Sequence, residues 1–402
     1  MRIVLYSPPG TGKSRAIAEV GARSRRALVF TRSHLEGLQM AKYVAEFGGD
    51  AAVLFGRRSL CPFGAENSVQ CLKLRESGVC KAQSRRPLKL VFDVDELYRQ
   101  GVCPYEALHA AGRRSNVVVL PLAYISKVTN FSVIADLFED VDFVALDEAH
   151  NLLSMVEVHD DELYSRRYCV DAGGRLMCLA LPLVGELVRG TRRLVAASAS
   201  ITRRFSHIFT HFLRASYVEI STLPGVDNLE VDHIPLAVRY RTRTRRRYVE
   251  TVGEAVRRVF HEYRRVVVFL PSRELAELYT SRLGDLPVSE RPLGDIDHVV
   301  VTYYGSPVSE GVNLDVKAGV LVGFPIPDIR SDELWLKVDV LNRLGFDGYR
   351  YAVLFTAVNH VIQAVGRIVR NLAKERKYIL LIDDRFVQYR HLLPNYLSQF
   401  LK

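Results

Sequence analysis

The chain opens on a short apolar run, Arg2 to Tyr6, that leads straight into Ser7-Pro8-Pro9-Gly10-Thr11-Gly12-Lys13-Ser14. Strand, glycine-rich turn and helix start, in that order, make a nucleotide phosphate loop, because backbone N–H groups at a helix N-terminus cradle phosphate oxygens. Gly10 and Gly12 let the backbone approach closely, with Pro9 and Thr11 shaping the turn. Lys13 is placed to reach the terminal phosphates, and the Ser14 hydroxyl to ligate Mg²⁺. Ser7 stands where the first glycine of such a loop is usual.

About 130 residues downstream, Val144 to Leu146 delivers Asp147-Glu148-Ala149-His150 to a strand end. One carboxylate there can hold Mg²⁺ through water while the next polarises the attacking water. Acidic residues in the first turn of a helix are the alternative, which the helix dipole favours by itself. The phosphate loop decides for nucleotide hydrolysis, since the two motifs support each other.

Apolar β-rich runs alternate with helix-length stretches, the pattern of α/β units with mainly parallel sheets. Strands are predicted at Ile3–Tyr6, Ala27–Thr31, Val117–Pro121, Phe143–Asp147 and Leu194–Ser198. A second series carries strands at Val266–Leu270, His298–Tyr303, Gly319–Phe324 and Tyr378–Ile382. Helices fit Tyr248–Tyr263, Ser272–Arg282, Asp332–Arg343 and Val358–Asn371. Turn residues at Pro224-Gly225 and Asp227-Asn228 place a boundary between residues 1–224 and 225–402. Between Gly56 and Arg114 the alternation fails, and residues 56–115 read as a basic, Cys-bearing insertion.

The net charge of +10 points toward a polyanionic partner such as nucleic acid. An arginine excess also fits genome composition or heat adaptation. Apolar stretches all fall short of about eighteen residues, so a soluble intracellular protein without membrane contact is expected. In that compartment Cys61, Cys71, Cys80 and Cys103, with nine, eight and twenty-two residues between neighbours, suit an iron-sulfur cluster or zinc. Cys169 and Cys178 lie apart and read as small core residues.

Gln363, Arg367 and Arg370 are spaced to share one helix face. Two arginines there can reach a γ-phosphate across a cleft, or simply form a solvated basic face. Arg239, Arg241, Arg243 and Arg245 alternate, which on a strand gathers four guanidinium groups on one side. Phosphate binding and a charge-protected edge strand are equally good readings of that run.

Taken together, the phosphate loop, Thr31-Arg32-Ser33-His34, Cys61-Pro62, Cys103-Pro104-Tyr105, Asp147-Glu148-Ala149-His150, Ser198-Ala199-Ser200, Ser309-Glu310-Gly311, Gln363 to Arg370 and Asp383-Asp384-Arg385-Phe386 resemble the XPD family. Those are superfamily two DNA helicases bearing an iron-sulfur cluster, and the resemblance is to a short, archaeal-like form. It implies two RecA-like P-loop NTPase domains with parallel sheets, the cluster domain inserted in the first. It also implies ATP, Mg²⁺ and a [4Fe-4S] cluster held by Cys61, Cys71, Cys80 and Cys103.

By that resemblance Lys13 and Ser14 bind phosphates and Mg²⁺, Asp147 holds the metal and Glu148 is the base. Gln363, Arg367 and Arg370 sense the γ-phosphate. Arg32 and Ser33 lie near the DNA backbone, and His150, Ser198 and Ser200 couple hydrolysis to movement. Glu310 and Gly311 link ATP to DNA in the second domain. The expected activity is 5′-to-3′ translocation on single-stranded and forked DNA in repair, by a monomer associated with the nucleoid and with repair partners. A DNA-binding repair ATPase without productive unwinding is the rival.

The chain departs from the family in three places. No segment carrying an adenine-gripping Gln precedes the first strand, leaving adenine selectivity and the chain's start open. Ser200 replaces the usual threonine, keeping a hydroxyl. The Arch domain is reduced to residues 151–193, where two helices, Glu162–Cys169 and Arg175–Arg189, are predicted to leave the strand passage open on one side.

Overall fold

The computed structural model describes residues 1–82, 94–126, 134–158, 166–290, 293–306 and 314–401. In chain order its first strands are β1 Arg2–Tyr6, β2 Ala27–Thr31, β3 Ala51–Val53, β4 Val117–Pro121 and β5 Phe143–Asp147. Three short strands follow, β6 Met155–Val158, β7 Cys169–Asp171 and β8 Leu176–Leu179, then β9 Arg193–Ser198 and β10 Ser216–Glu219. The main sheet of this half is wholly parallel, in the order β10-β1-β9-β5-β2-β4-β3. Its central strands are apolar on both faces because helices cover both, as parallel crossovers require.

The second half supplies β11 Leu229–Ile234, β12 Arg265–Leu270, β13 Val288–Ser289, β14 His298–Tyr303, β15 Ala318–Val322 and β16 Lys377–Ile382. These form a second parallel sheet, ordered β11-β16-β15-β12-β14-β13. Two RecA-like α/β units with parallel sheets are thus present. They share one apolar core: Phe205 packs on Phe355 and Tyr351, and Phe209 on Phe355, at ring-centre distances of 5.0, 6.3 and 5.8 Å.

Every predicted strand forms, within a residue or two at its ends. Residues 151–193 require a correction. Of the helix expected at Glu162–Cys169, residues 162–165 lie outside the described residues, and the rest is a short 3₁₀ turn leading into β7. In place of the second helix's start, β8 pairs with both β7 and β6 in an antiparallel sheet, and only Ala180–Leu187 is helical. The cause is Gly173-Gly174, both left-handed at φ +66° and +82°, which fold the chain back on itself. This small sheet reaches the other half, where Arg343 donates to the Cys169 carbonyl at 3.1 Å.

Cys169 and Cys178 are buried as expected but joined, since they stand opposite each other in the β7–β8 register and form a disulfide. The arginine run is likewise no strand. The Thr242 hydroxyl accepts from the Arg239 N–H at 3.2 Å and donates to the Ala237 carbonyl, tying residues 237–242 into turns before the Arg246–Tyr263 helix. Arg239 itself is clamped on both Asp384 oxygens at 2.7 and 2.8 Å.

Candidate active site

β1 delivers the phosphate loop to the cleft between the two halves. Gly10 and Gly12 adopt φ of +75° and +84°, which only glycine takes without strain, and Gly12 caps the Lys13–Ala22 helix. Ser7, in the first glycine's place, is buried, and its hydroxyl meets that of Thr11 at 2.5 Å. Thr11 also donates to the Pro8 carbonyl at 2.8 Å, so the loop is closed by its own side chains. Lys13 Nζ lies against the Ser7 and Pro8 carbonyls at 3.1 and 3.2 Å, over the mouth of the cradle.

Ser14, first turn of that helix, donates to Asp147 Oδ2 at 2.7 Å. Two oxygen ligands suited to Mg²⁺ are thus brought together from residues 133 apart in sequence. Burial and the adjoining Glu148 push the Asp147 carboxyl up, which a bound cation would reverse. Glu148 sits in the left-handed region at φ +51°, an uncommon posture for a residue with a Cβ. It turns the carboxylate away from the strand toward His150, whose Nδ1 lies 3.2 Å from Oε2. Burial alone would raise Glu148, but the His150 contact prevails and holds it low and ionised.

His150 is buried at the centre of a network. Nδ1 is also 2.9 Å from Ser198 Oγ, and Nε2 is 3.1 Å from the Gln363 amide nitrogen across the cleft. Ser198 Oγ accepts the Ser200 N–H at 3.0 Å. Arg367, like Gln363 on the Phe355–Ile368 helix, faces Glu148, and burial, then Arg370, pushes it down to about 10. Arg370 is also lowered by burial. The helix stops at Ile368, so Arg370 stands in the following turn, a correction to the shared-face reading, although it lines the same cavity. Desolvated guanidiniums of this kind favour an anionic guest.

Gly366 explains how closely the halves meet. A Cβ built there would lie 3.1 Å from Pro9 of the phosphate loop, so any larger residue would press directly on that loop. The resulting cavity, about 740 Å³, is lined by Gly12, Lys13, Asp147, Glu148, Gln363 and Arg367 among others. Three polar roles come from one half and two from the other, which suits cleavage of a phosphoanhydride held between them.

Sequence reasoning missed two residues here. Glu36 accepts from the Arg32 and Ser33 N–H groups at 3.1 and 3.2 Å; burial, then Glu148, raises its carboxyl. The signal was the capping box Ser33-x-x-Glu36 ahead of the His34–Glu46 helix. Asn359, one turn before Gln363, accepts the Ser200 hydroxyl at 2.5 Å, and nothing in its neighbours announces it. Glu310 and Gly311 lie outside the described residues.

Arg32 and Ser33 border a second cavity, about 830 Å³, shared with the Cys-bearing segment. There Tyr105 lies between the Arg57 guanidinium at 4.0 Å and the His109 ring at 4.3 Å. Burial and the neighbouring Arg113 keep His109 neutral, pushed down to about 4.

Cys61, Cys71, Cys80 and Cys103 are free and half-buried. Cys71, Cys103 and Cys80 all face the Arg75 guanidinium, which they help to raise against its burial. Their donor type fits a Cys₄ metal group, but among the described residues no three ligating side chains stand at metal-binding separation.

Two family models match the chain, DEAD_2 over residues 49–166 and the helicase C-terminal domain over 294–400. Among solved structures, the chain is similar to an XPD helicase at 15% identity and TM-score 0.67, covering 98% of this chain and 94% of that one. It is also similar to an apo XPD at 14% identity and TM-score 0.61, covering 98% and 95%. Xpd4 of S. tokodaii is similar at 14% identity and TM-score 0.63, covering 97% and 93%. Compared by sequence with curated proteins, the chain finds no match. No helix among the described residues is long and apolar enough to cross a membrane.

Proposed function

We propose that the chain is an ATP-hydrolysing helicase of the XPD type that moves 5′ to 3′ along single-stranded DNA, opening duplex in repair, a reading supported by helicase-family segments in both halves of an XPD-like fold. The observation that carries the mechanism is the convergence of Lys13, Asp147 and Glu148 from one half with Gln363 and Arg367 from the other. Domain limits of 1–224 and 225–402 fit this division, because each part brings one wall of the cleft.

Lys13 and the glycine-rich cradle hold the phosphates, and Ser14 with Asp147 would hold Mg²⁺, which neutralises charge on phosphate oxygens when bound. Glu148, ionised, takes a proton as water attacks the γ-phosphorus and the bond to the β-phosphate oxygen breaks, releasing ADP. Gln363 Oε1, buried without a hydrogen-bond partner among the described residues, is placed to accept a hydrogen bond from the O–H that the water keeps. Arg367 and Arg370 stabilise charge on the transferring group. Because these groups come from both halves, hydrolysis loosens the grip between them, and His150, Ser198 and Ser200 pass that change on.

The strand is proposed to run over Arg32 and Ser33 into the second cavity, where its phosphates meet the Arg57 and Arg113 guanidiniums. Glu310 and Gly311 are proposed to link the same strand to ATP from the second half. The small sheet that replaces an Arch leaves the passage open on one side, so short forked duplexes should be separated and long ones mostly released. A strand-separation assay on forks with 5′ or 3′ tails tests the reading. Opening of 5′-tailed short forks supports it, whereas turnover without separation on any fork would favour the accessory ATPase.

Cys61, Cys71, Cys80 and Cys103 are proposed to hold a [4Fe-4S] cluster, on their donor type and on the family resemblance. Each Cys→Ser variant should lose visible absorbance near 400 nm, roughly in full, and lose unwinding more than basal turnover. Metal analysis that finds zinc and no iron would reject the cluster.

A further inference from the structure

The Phe355–Ile368 helix crosses the cleft with two side chains one turn apart. Gln363 reaches His150, and Asn359 reaches Ser200. An amide oxygen can only accept, so the Ser200 hydroxyl donates to Asn359 Oδ1. Ser200 in turn gives its N–H to Ser198 Oγ, Ser198 meets His150 Nδ1, and His150 Nδ1 faces the Glu148 carboxylate. The Gln363 amide nitrogen can only donate, so His150 Nε2 accepts and the proton sits on Nδ1, toward Glu148. Glu148 is therefore oriented by a histidine whose tautomer is fixed from the opposite half. The chain of bonds closes on itself through one helical turn, from Asn359 to Gln363.

We propose that Asn359 is a positioning residue for ATP hydrolysis: by accepting the Ser200 hydroxyl it completes an interdomain ring that sets His150, and through it Glu148, in the reactive arrangement. This rests on the ATPase reading given above. Ser198 ends β9 and Ser200 follows it by two residues, both buried, so they have little freedom of their own. Asn359 does not itself line the cavity but bonds to Ser200, which does, so its effect passes through Ser200. When the halves separate, both cross-cleft bonds break together, and the His150 proton is no longer held on Nδ1 by Gln363. The ring thus makes the base competent only when the cleft is shut.

A double-mutant cycle on the full chain tests this, reading kcat and KM for ATP with single-stranded DNA present. Asn359→Ala and Ser200→Ala should each lower kcat about tenfold with KM for ATP within about twofold, and the pair together should be no worse than either alone. Asn359→Asp and Ser200→Thr keep the acceptor and the hydroxyl and should stay within about threefold of the original. Multiplying losses in the double variant, a change confined to KM, or unaltered turnover in Asn359→Ala would each overturn the proposal while leaving the ATPase reading intact. Absence of ATP turnover in the unaltered protein would instead overturn that reading, and this inference with it.

Discussion

Glu148→Gln should bind ATP nearly as well as the original chain and hydrolyse it about 10²–10⁴-fold more slowly. The amide keeps the shape of the carboxylate and its left-handed backbone, but it cannot take the proton of the attacking water. His150, which holds Glu148 ionised at 3.2 Å, then orients a group with no basicity. Lys13→Ala is the complementary case and should lose nucleotide binding, since the ammonium reaches the phosphates before any chemistry occurs. Equilibrium binding of a fluorescent ATP analogue beside single-turnover hydrolysis separates the two effects. Near-normal hydrolysis by Glu148→Gln would remove that residue from the role of base.

Arg367→Ala should reduce kcat by about 10³-fold while weakening ATP binding by less than about tenfold, because a finger acts mainly on charge that develops in the transition state. Burial and the neighbouring Arg370 already depress this guanidinium, so an incoming phosphate relieves an electrostatic cost present in the closed cleft. Arg367→Lys should recover little, since a point charge cannot reproduce the planar fork. Steady-state kinetics against ATP decides the matter, and a loss confined to affinity would show that Arg367 binds substrate without assisting its cleavage.

The nucleotide cleft was legible because its parts are local. A strand ending in Gly10-x-Gly12-Lys13-Ser14 and another ending in Asp147-Glu148 each announce themselves within a few residues. The inner strands of both sheets were equally plain, being continuous apolar runs buried on both faces, such as Ala27–Thr31, whereas the edge strands β3, β10, β11 and β13, short or partly exposed, were not. What escaped depends on partners distant in sequence. Asn359 has meaning only opposite Ser200, 159 residues away, whereas Glu36 carried a local signal in its capping box with Ser33 that went unread.

The small sheet was missed for a different reason. Its strands have three or four residues, too few for periodicity to register, while Leu176 to Leu187 is apolar enough to imitate one long helix. Gly173-Gly174 carried the hairpin signal, and the disulfide followed from a register that only the hairpin creates. In the arginine run, alternation suggested a strand, yet Thr242 bonding to its own backbone and the Asp384 clamp on Arg239 turned it into a loop. Alternating charge without alternating apolar residues has no buried face to fix a strand.

ATP turnover measured with and without single-stranded DNA, across a salt series, tests the central claim most directly. Stimulation by at least about tenfold is predicted, fading steeply between about 50 and 200 mM salt as phosphate contacts are screened, and absent in Lys13→Ala. Turnover that no single strand alters at any salt concentration would contradict the account, because hydrolysis would then proceed without a nucleic-acid track to move along.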